Sequence, residues 1–194
     1  QKSTGSYLVR GSVAREVKAA TKSGNFYTGN LSESKNVMHI PTGQIQQDVQ
    51  RTATAALNSG TSPETRVEYG GHVLFGDTNA RIWDAGTTMQ TQILSDGSTE
   101  KKWSVKPFKI GGKNNQFGGL ISQIQFFWHI HPNGSTPSRG DIWWVGELRK
   151  YGFTGNSFLI DINNNRVIFF NEKGSLMNIK YDDFKRMGKQ EDIK

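Results

Sequence analysis

Apolar and polar residues alternate with two different periods along this chain, and the switches between them mark out its elements. Ile45, Val49, Ala53, Ala56 and Leu57 recur at helical spacing, which predicts a helix from about Gln44 to Asn58. Thr42 stands where a cap belongs and Gly60 where the helix stops. Val67, Tyr69, Gly71, Val73 and Phe75 then alternate with Glu68, Gly70, His72 and Leu74, a period of two that predicts a strand. Gly76-Asp77-Thr78-Asn79 turns the chain, and Ala80 to Trp83 returns as the second strand of a hairpin. A further strand is predicted at Lys102 to Phe108.

The run Ile124 to Trp128 is apolar and aromatic apart from Gln125, and predicts a buried strand that carries on through His129-Ile130-His131. Pro132 and Asn133-Gly134 end it, because proline lacks a ladder donor and Asn-Gly favours a turn. A helix follows Ser138, a good N-cap, with Trp144, Val145, Leu148 and Tyr151 on one face. Ser157 to Ile162 and Arg166 to Asn171 predict a hairpin across Asn163-Asn164-Asn165, and Tyr181 to Met187 a short terminal helix. This order of elements predicts an α/β class protein of the α+β kind, a mixed sheet with helices on its faces. Trp128, Ile130, Trp143 and Trp144 are assigned to core and helix–sheet packing.

Composition narrows the picture without changing it. At 194 residues, 34% hydrophobic and with 22 glycines, the chain suits one loop-rich domain with an exposed arm. Residues 1–40, rich in Ser, Gly, Asn and Lys, read as an arm packed on the domain or a linker from a longer precursor, and 41–194 as the domain. No apolar run approaches a membrane span. Cysteine is absent, which excludes disulfides, thiolate catalysis and the cysteine-bearing zinc deaminases. A first residue Gln1 without Met, and no cysteine, lean toward an exported, secreted or periplasmic bacterial protein. The net charge of +7 permits an acidic partner, but basic residues are scattered, which argues against nucleic acid. Gly111-Gly112 and Gly118-Gly119, with Lys101, Lys102, Lys106, Lys109 and Lys113 nearby, read as a surface loop able to flank a cleft.

The candidate chemistry begins with the histidines. Residues i and i+2 of a strand share a face, so His129 and His131 present two imidazoles side by side. Asp141 lies on the core-facing side of the following helix, where an unpaired carboxylate is costly. A metal ion held by His129, His131 and Asp141 satisfies all three. Zinc (Zn2+) fits best, with three protein ligands and water in the fourth position.

His129-Ile130-His131-Pro132 followed by Pro137-Ser138-Arg139-Gly140-Asp141 resembles the signature of the JAB/MPN (JAMM) zinc metalloproteases, His-x-His-Pro and then Ser-x-x-Asp, and its wording is close to bacterial members. Glu68-Tyr69-Gly70-Gly71 resembles the family's early-strand glutamate with its glycines. The order of elements follows the family over about residues 44–187. Nine residues separate His131 from Asp141, one fewer than the family usually has.

The resemblance implies a peptidase or isopeptidase that hydrolyses an amide bond through a metal-activated water. Glu68 would be the general base and Ser138 the residue that stabilises the oxyanion. Gly70, beside Glu68, would leave space for substrate backbone. Glu64 is the weaker alternative to Glu68, and His72 is assigned to the surface or to support of the site. The implied partners are a protein or peptide substrate, such as a ubiquitin-like conjugate or a peptide crosslink. An inactive MPN-like scaffold and a RadC-like nucleic-acid-associated module are the alternatives.

Overall fold

The computed structural model describes residues 5–9, 37–83, 90–93, 95–102 and 119–188. The predicted strand at Lys102 to Phe108 falls outside them beyond Lys102, as does the glycine-rich stretch up to Gly118. Ten strands and three helices are seen among the described residues. They are β1 (Gly5–Val9), β2 (Val37–Pro41), α1 (Gly43–Asn58), β3 (Gly70–Leu74), β4 (Arg81–Ile82), β5 (Gln90–Ile93) and β6 (Thr99–Lys102). A 3-10 turn at Ile121–Gln123 leads into β7 (Ile124–His131), then α2 (Arg139–Arg149), β8 (Ser157–Asp161), β9 (Arg166–Asn171), β10 (Gly174–Lys180) and α3 (Tyr181–Met187).

Six strands form one mixed sheet in the order β10-β9-β8-β7-β3-β4. The pair β7–β8 is parallel and its other neighbours are antiparallel. A parallel pair needs a crossover between its strands, and α2 makes it. β1 pairs with β2, and β5 with β6, as separate two-stranded ladders. The mixed sheet flanked by helices is the α+β architecture that the order of elements predicts.

Side-chain alternation on the central strands decides which helix covers which face. Phe126, Trp128 and Ile130 of β7, Phe158 and Ile160 of β8, and Val167 and Phe169 of β9 share one core with Ile45, Val49, Ala53 and Ala56 of α1 and Phe184 of α3. Phe158 is the hub of that core, with ring centroids 5.7 Å from Phe126, 5.5 Å from Phe169 and 5.3 Å from Phe184. Met38 and Ile40 are buried in it too, so β2, within the expected arm, packs on the domain. The opposite face carries Phe127, Leu159, Ile168 and Phe170 against Val145 and Leu148 of α2. By parity His129 and His131 belong to this second face.

Polar anchors place α1 against the sheet. Asp48 is buried, and its carboxylate accepts from the Ala80 amide at 2.9 Å and from Gln44 at 2.9 Å while pairing with Arg51. The Trp128 indole donates to Thr52 Oγ1 at 2.9 Å. Three expectations need correcting here. Leu57 is 45% exposed, because it sits off the stripe that Ala53 and Ala56 complete. Thr42 holds the N-cap position of α1, but its side chain makes no cap bond. The strand predicted from Val67 begins at Gly70, and the residues before it run as a loop tied to the sheet where Ile130 N donates to Tyr69 O at 2.7 Å, and to the end of α1 where Val67 N donates to Ser59 Oγ at 2.8 Å.

His39 and His72 are both buried, and burial is the first cause that keeps each neutral. His39 is lowered to about 3, and His72 to about 4 with help from the nearby Arg81 charge against Asp77. The surface expectation for His72 is overturned, because the ring is fully buried and its Nδ1 accepts from the Trp83 indole at 2.8 Å. Between pH 6.5 and 4 the unfolded chain takes up a proton at each ring that the fold refuses. Stability therefore falls as pH falls, by roughly 1.4 kcal/mol per pH unit per histidine. Urea melts of the metal-free chain at pH 7, 5.5 and 4.5 should show this slope, and replacing both rings by glutamine should flatten it. A slope that survives the double replacement places the acid sensitivity elsewhere.

Candidate metal centre

The histidines sit at the end of β7, where the sheet hands the chain to the turn before α2. His129 stands opposite Gly70 in the β3–β7 ladder, and the bond from Ile130 N to Tyr69 O holds the Glu68–Tyr69 segment alongside. Glu68 is thereby brought in from sequence about sixty residues away. It is buried, with Oε1 3.7 Å from His129 Nε2. Glu68, His129 and His131 each offer a ligand atom, all within 4.8 Å of one another.

Asp141 arrives from the other side, on the first turn of α2. Ser138 Oγ accepts from Asp141 N at 3.1 Å, and Asp141 Oδ2 accepts from Ser138 N at 2.8 Å, a complete capping box. The box aims the carboxylate back at the strand. Its Oδ1 lies 3.3 Å from His129 Nε2 and its Oδ2 3.3 Å from His131 Nε2. The shorter turn between His131 and Asp141 therefore still delivers the acid to both rings.

Ser135 was not anticipated from sequence. Its carbonyl lies 3.1 Å and its hydroxyl 2.8 Å from His131 Nδ1. A carbonyl only accepts, so Nδ1 carries a hydrogen toward Ser135, and Nε2 is the nitrogen that faces the cluster. That is the arrangement a metal-ligating histidine uses, with the second nitrogen donating to protein. The signal in sequence was the Asn-Gly-Ser turn directly after the strand, whose short polar side chains fold back on nearby groups.

Electrostatics sets the charge balance of the cluster. Burial pushes the Glu68 carboxyl above its usual range, against the pull of His129 and His131. Burial alone would lower His129, yet Asp141, by charge and hydrogen bond, and then Glu68 carry it up to about 9. Burial works against ionising Asp141 as well, but His129 and His131 hold it far below the usual carboxylate range. Two acids thus face two imidazoles in a site that favours positive charge between them. His129 Nε2 and His131 Nε2 are only 2.8 Å apart.

Imidazole nitrogens with carboxylate oxygens form a donor set that could hold a metal ion. Around a tetrahedral ion with nitrogen and oxygen ligands at about 2.0–2.2 Å, ligand atoms stand roughly 3.3–3.5 Å from one another. Asp141 meets that separation from each ring with a different oxygen, Oδ1 to His129 and Oδ2 to His131, and the rings need part by only about half an ångström. His129 packs its edge against Phe170, with centroids 6.1 Å apart.

Two expectations about the surroundings are corrected. Gly70 does not leave room for substrate backbone, because a Cβ there would stand 2.7 Å from the Trp83 ring and 2.6 Å from Trp128 O. Gly71 likewise abuts the Trp128 ring, so this glycine pair serves close packing of the sheet. Trp128 and Ile130 are core residues as expected, and Trp144 packs against the second core, but Trp143 is 56% exposed on the outer side of α2. Compared with family models, curated proteins and solved structures, the chain matches none. Among the described residues no helix is long and apolar enough to cross a membrane.

Proposed function

We propose that this chain is a zinc-dependent peptidase or isopeptidase of the JAB/MPN (JAMM) type, hydrolysing an amide bond in a protein or peptide substrate. The observation that carries the reading is one convergence: Glu68 from the loop before β3, two imidazoles from β7 and Asp141 from α2 meet within a few ångströms. Residues so far apart in sequence, each polar and largely removed from water, need a common purpose to offset the cost of gathering them.

His129, His131 and Asp141 would hold a zinc ion, which when bound would supply a Lewis acid for the scissile carbonyl and lower the pKa of a water toward neutrality. Glu68 would accept the proton of the attacking water on a carboxylate oxygen. It would return the proton to the nitrogen of the departing amine, so one water is consumed and an acid and an amine leave. Its raised pKa, caused first by burial, suits a group that must both take and give a proton. Ser138 keeps its hydroxyl hydrogen while its oxygen caps α2, so the O–H is left to donate to the oxyanion.

Metal analysis of the purified chain tests the first half of the reading. The expected result is one zinc per chain, lost when His129 or His131 becomes alanine. Added zinc should also raise the melting temperature, by the equivalent of about 2.7 kcal/mol at a hundredfold excess over Kd. A peptide-library cleavage screen tests the second half. A chain that takes up no zinc ends the proposal, and one that binds zinc without cleaving anything is the inactive scaffold.

A further inference from the structure

The metal centre has neighbours on the adjacent strand that the mechanism does not use. β7 and β8 are parallel, and His131 stands in register with Asp161. The two strands therefore release their following loops side by side: Pro132–Ser138 after β7, and residues 162–165 after β8. Asp161 is fully buried at this edge, and its carboxylate gathers the second loop. It accepts from Asn164 N at 3.2 Å, from Asn164 Nδ2 at 2.9 Å and from Arg166 Nε at 2.7 Å.

The second hydrogen of the Asn164 amide points across to the first loop. Asn164 Nδ2 donates to Gly134 O at 3.3 Å. Gly134 adopts φ +82°, and a Cβ there would come within 3.0 Å of Asn164 Nδ2, so the two loops touch at a point where only glycine fits without strain. The carbonyl that Asn164 holds belongs to the peptide linking Gly134 to Ser135. Ser135 in turn is the residue whose carbonyl and hydroxyl fix His131 Nδ1.

We infer that Asp161 and Asn164 are positioning residues for His131: a buried carboxylate fixes the asparagine amide, the amide fixes the Gly134–Ser135 peptide, and Ser135, through its own carbonyl and hydroxyl, sets which imidazole nitrogen faces the metal. The inference rests on the metal-site reading above and adds that His131 is tuned from β8. The sensitivity of metal sites to the groups behind their ligands gives the scale, typically 10–100-fold in affinity.

The test uses the full chain, stripped of metal and titrated with zinc against a competing chromophoric chelator. Asn164→Ala should weaken zinc binding roughly 10–100-fold. Asn164→Ser is the second variant, since a serine hydroxyl can still close the turn on Asp161 but is too short to reach Gly134. It should fold as the wild type does and show the same loss. Asn165→Gly is the control in the same turn: its side chain reaches Asp182 at 3.3 Å instead, and its φ of 50° suits glycine. It should leave zinc affinity unchanged.

Imidazole nitrogen spectra of the metal-free chain give a readout that needs no zinc. His131 should be a single Nδ1–H tautomer in the wild type and a mixture in Asn164→Ser. Unchanged affinity and unchanged tautomer in Asn164→Ser overturn the inference, as does an equal loss of affinity in Asn165→Gly. A wild-type chain that takes up no zinc overturns the proposed function instead, and the tautomer comparison then still decides whether Asn164 orients His131.

Discussion

Replacing Glu68 with glutamine should lower turnover on any cleaved peptide by about 10²–10⁴-fold while zinc content stays at the wild-type value. Glutamine keeps the size and most of the hydrogen-bonding reach of the side chain, but its amide cannot hold and release a proton at neutral pH. The two readouts separate two roles that the geometry brings close together. Glu68 Oε1 is 3.7 Å from His129 Nε2, while Asp141 reaches the two rings at 3.3 Å with one oxygen each, which is why the proposal puts Asp141 on the metal and Glu68 on the water. Loss of zinc together with loss of activity would make Glu68 a ligand. Full activity would move the base to another carboxylate, Glu64 being the alternative raised by the sequence. Kinetics on a peptide from the cleavage screen, with metal analysis of the same preparation, decides.

Ser138→Ala should reduce turnover by about 10²–10³-fold, equivalent to ~2.7–4 kcal/mol in the barrier. Its stability cost should be far smaller, ~1 kcal/mol for the lost cap. Both effects come from one oxygen. As acceptor, Ser138 Oγ holds the Asp141 amide at 3.1 Å; as donor, its hydrogen is left for the oxyanion. The capping box has a second bond, Ser138 N to Asp141 Oδ2 at 2.8 Å, which alanine retains. Asp141 should therefore remain aimed, and zinc affinity should hold. A kcat that falls no further than the melting temperature implies would reduce Ser138 to a helix cap. Zinc affinity falling with kcat would show that the side-chain half of the box is what holds Asp141.

Much of the site was legible because its two halves obey local rules. Two-residue spacing on a strand puts His129 and His131 on one face wherever that strand goes, and a capping serine fixes Asp141 three residues on. The helix from Gly43 to Asn58, the hairpin of β8 and β9, and the helix at Tyr181–Met187 follow from periodicity and turn chemistry in the same way. What sequence spacing could not supply was the third dimension. Gly70 invited an open cleft, but the space is filled by Trp83, which arrives from the hairpin partner. Glu68 was expected on a strand, yet it reaches His129 from a loop tied to the sheet at Tyr69. β10 escaped notice because Ser175, Asn178 and Lys180 face solvent on an edge strand, and a bulge between Ser175 and Met177 interrupts its alternation. Trp143 was grouped with its neighbours, although the position directly after an inward-facing residue on a helix turns outward. Ser135 and Asn164 contribute through bonds between loops, which leave no periodic trace in a sequence.

The single parallel pair at the centre of the sheet divides the molecule into two rims with different freedoms. On one rim both strands deliver their loops toward the imidazoles, so a longer or shorter connection there would change the surroundings of the proposed metal site. On the other rim, at the opposite end of β8, the Arg149 guanidinium ties Glu172 to the carbonyls of Phe153 and Gly155. Variation there would be felt as a gain or loss of robustness and nothing else. A designer seeking a new specificity on this scaffold would redraw the first rim and leave the second alone.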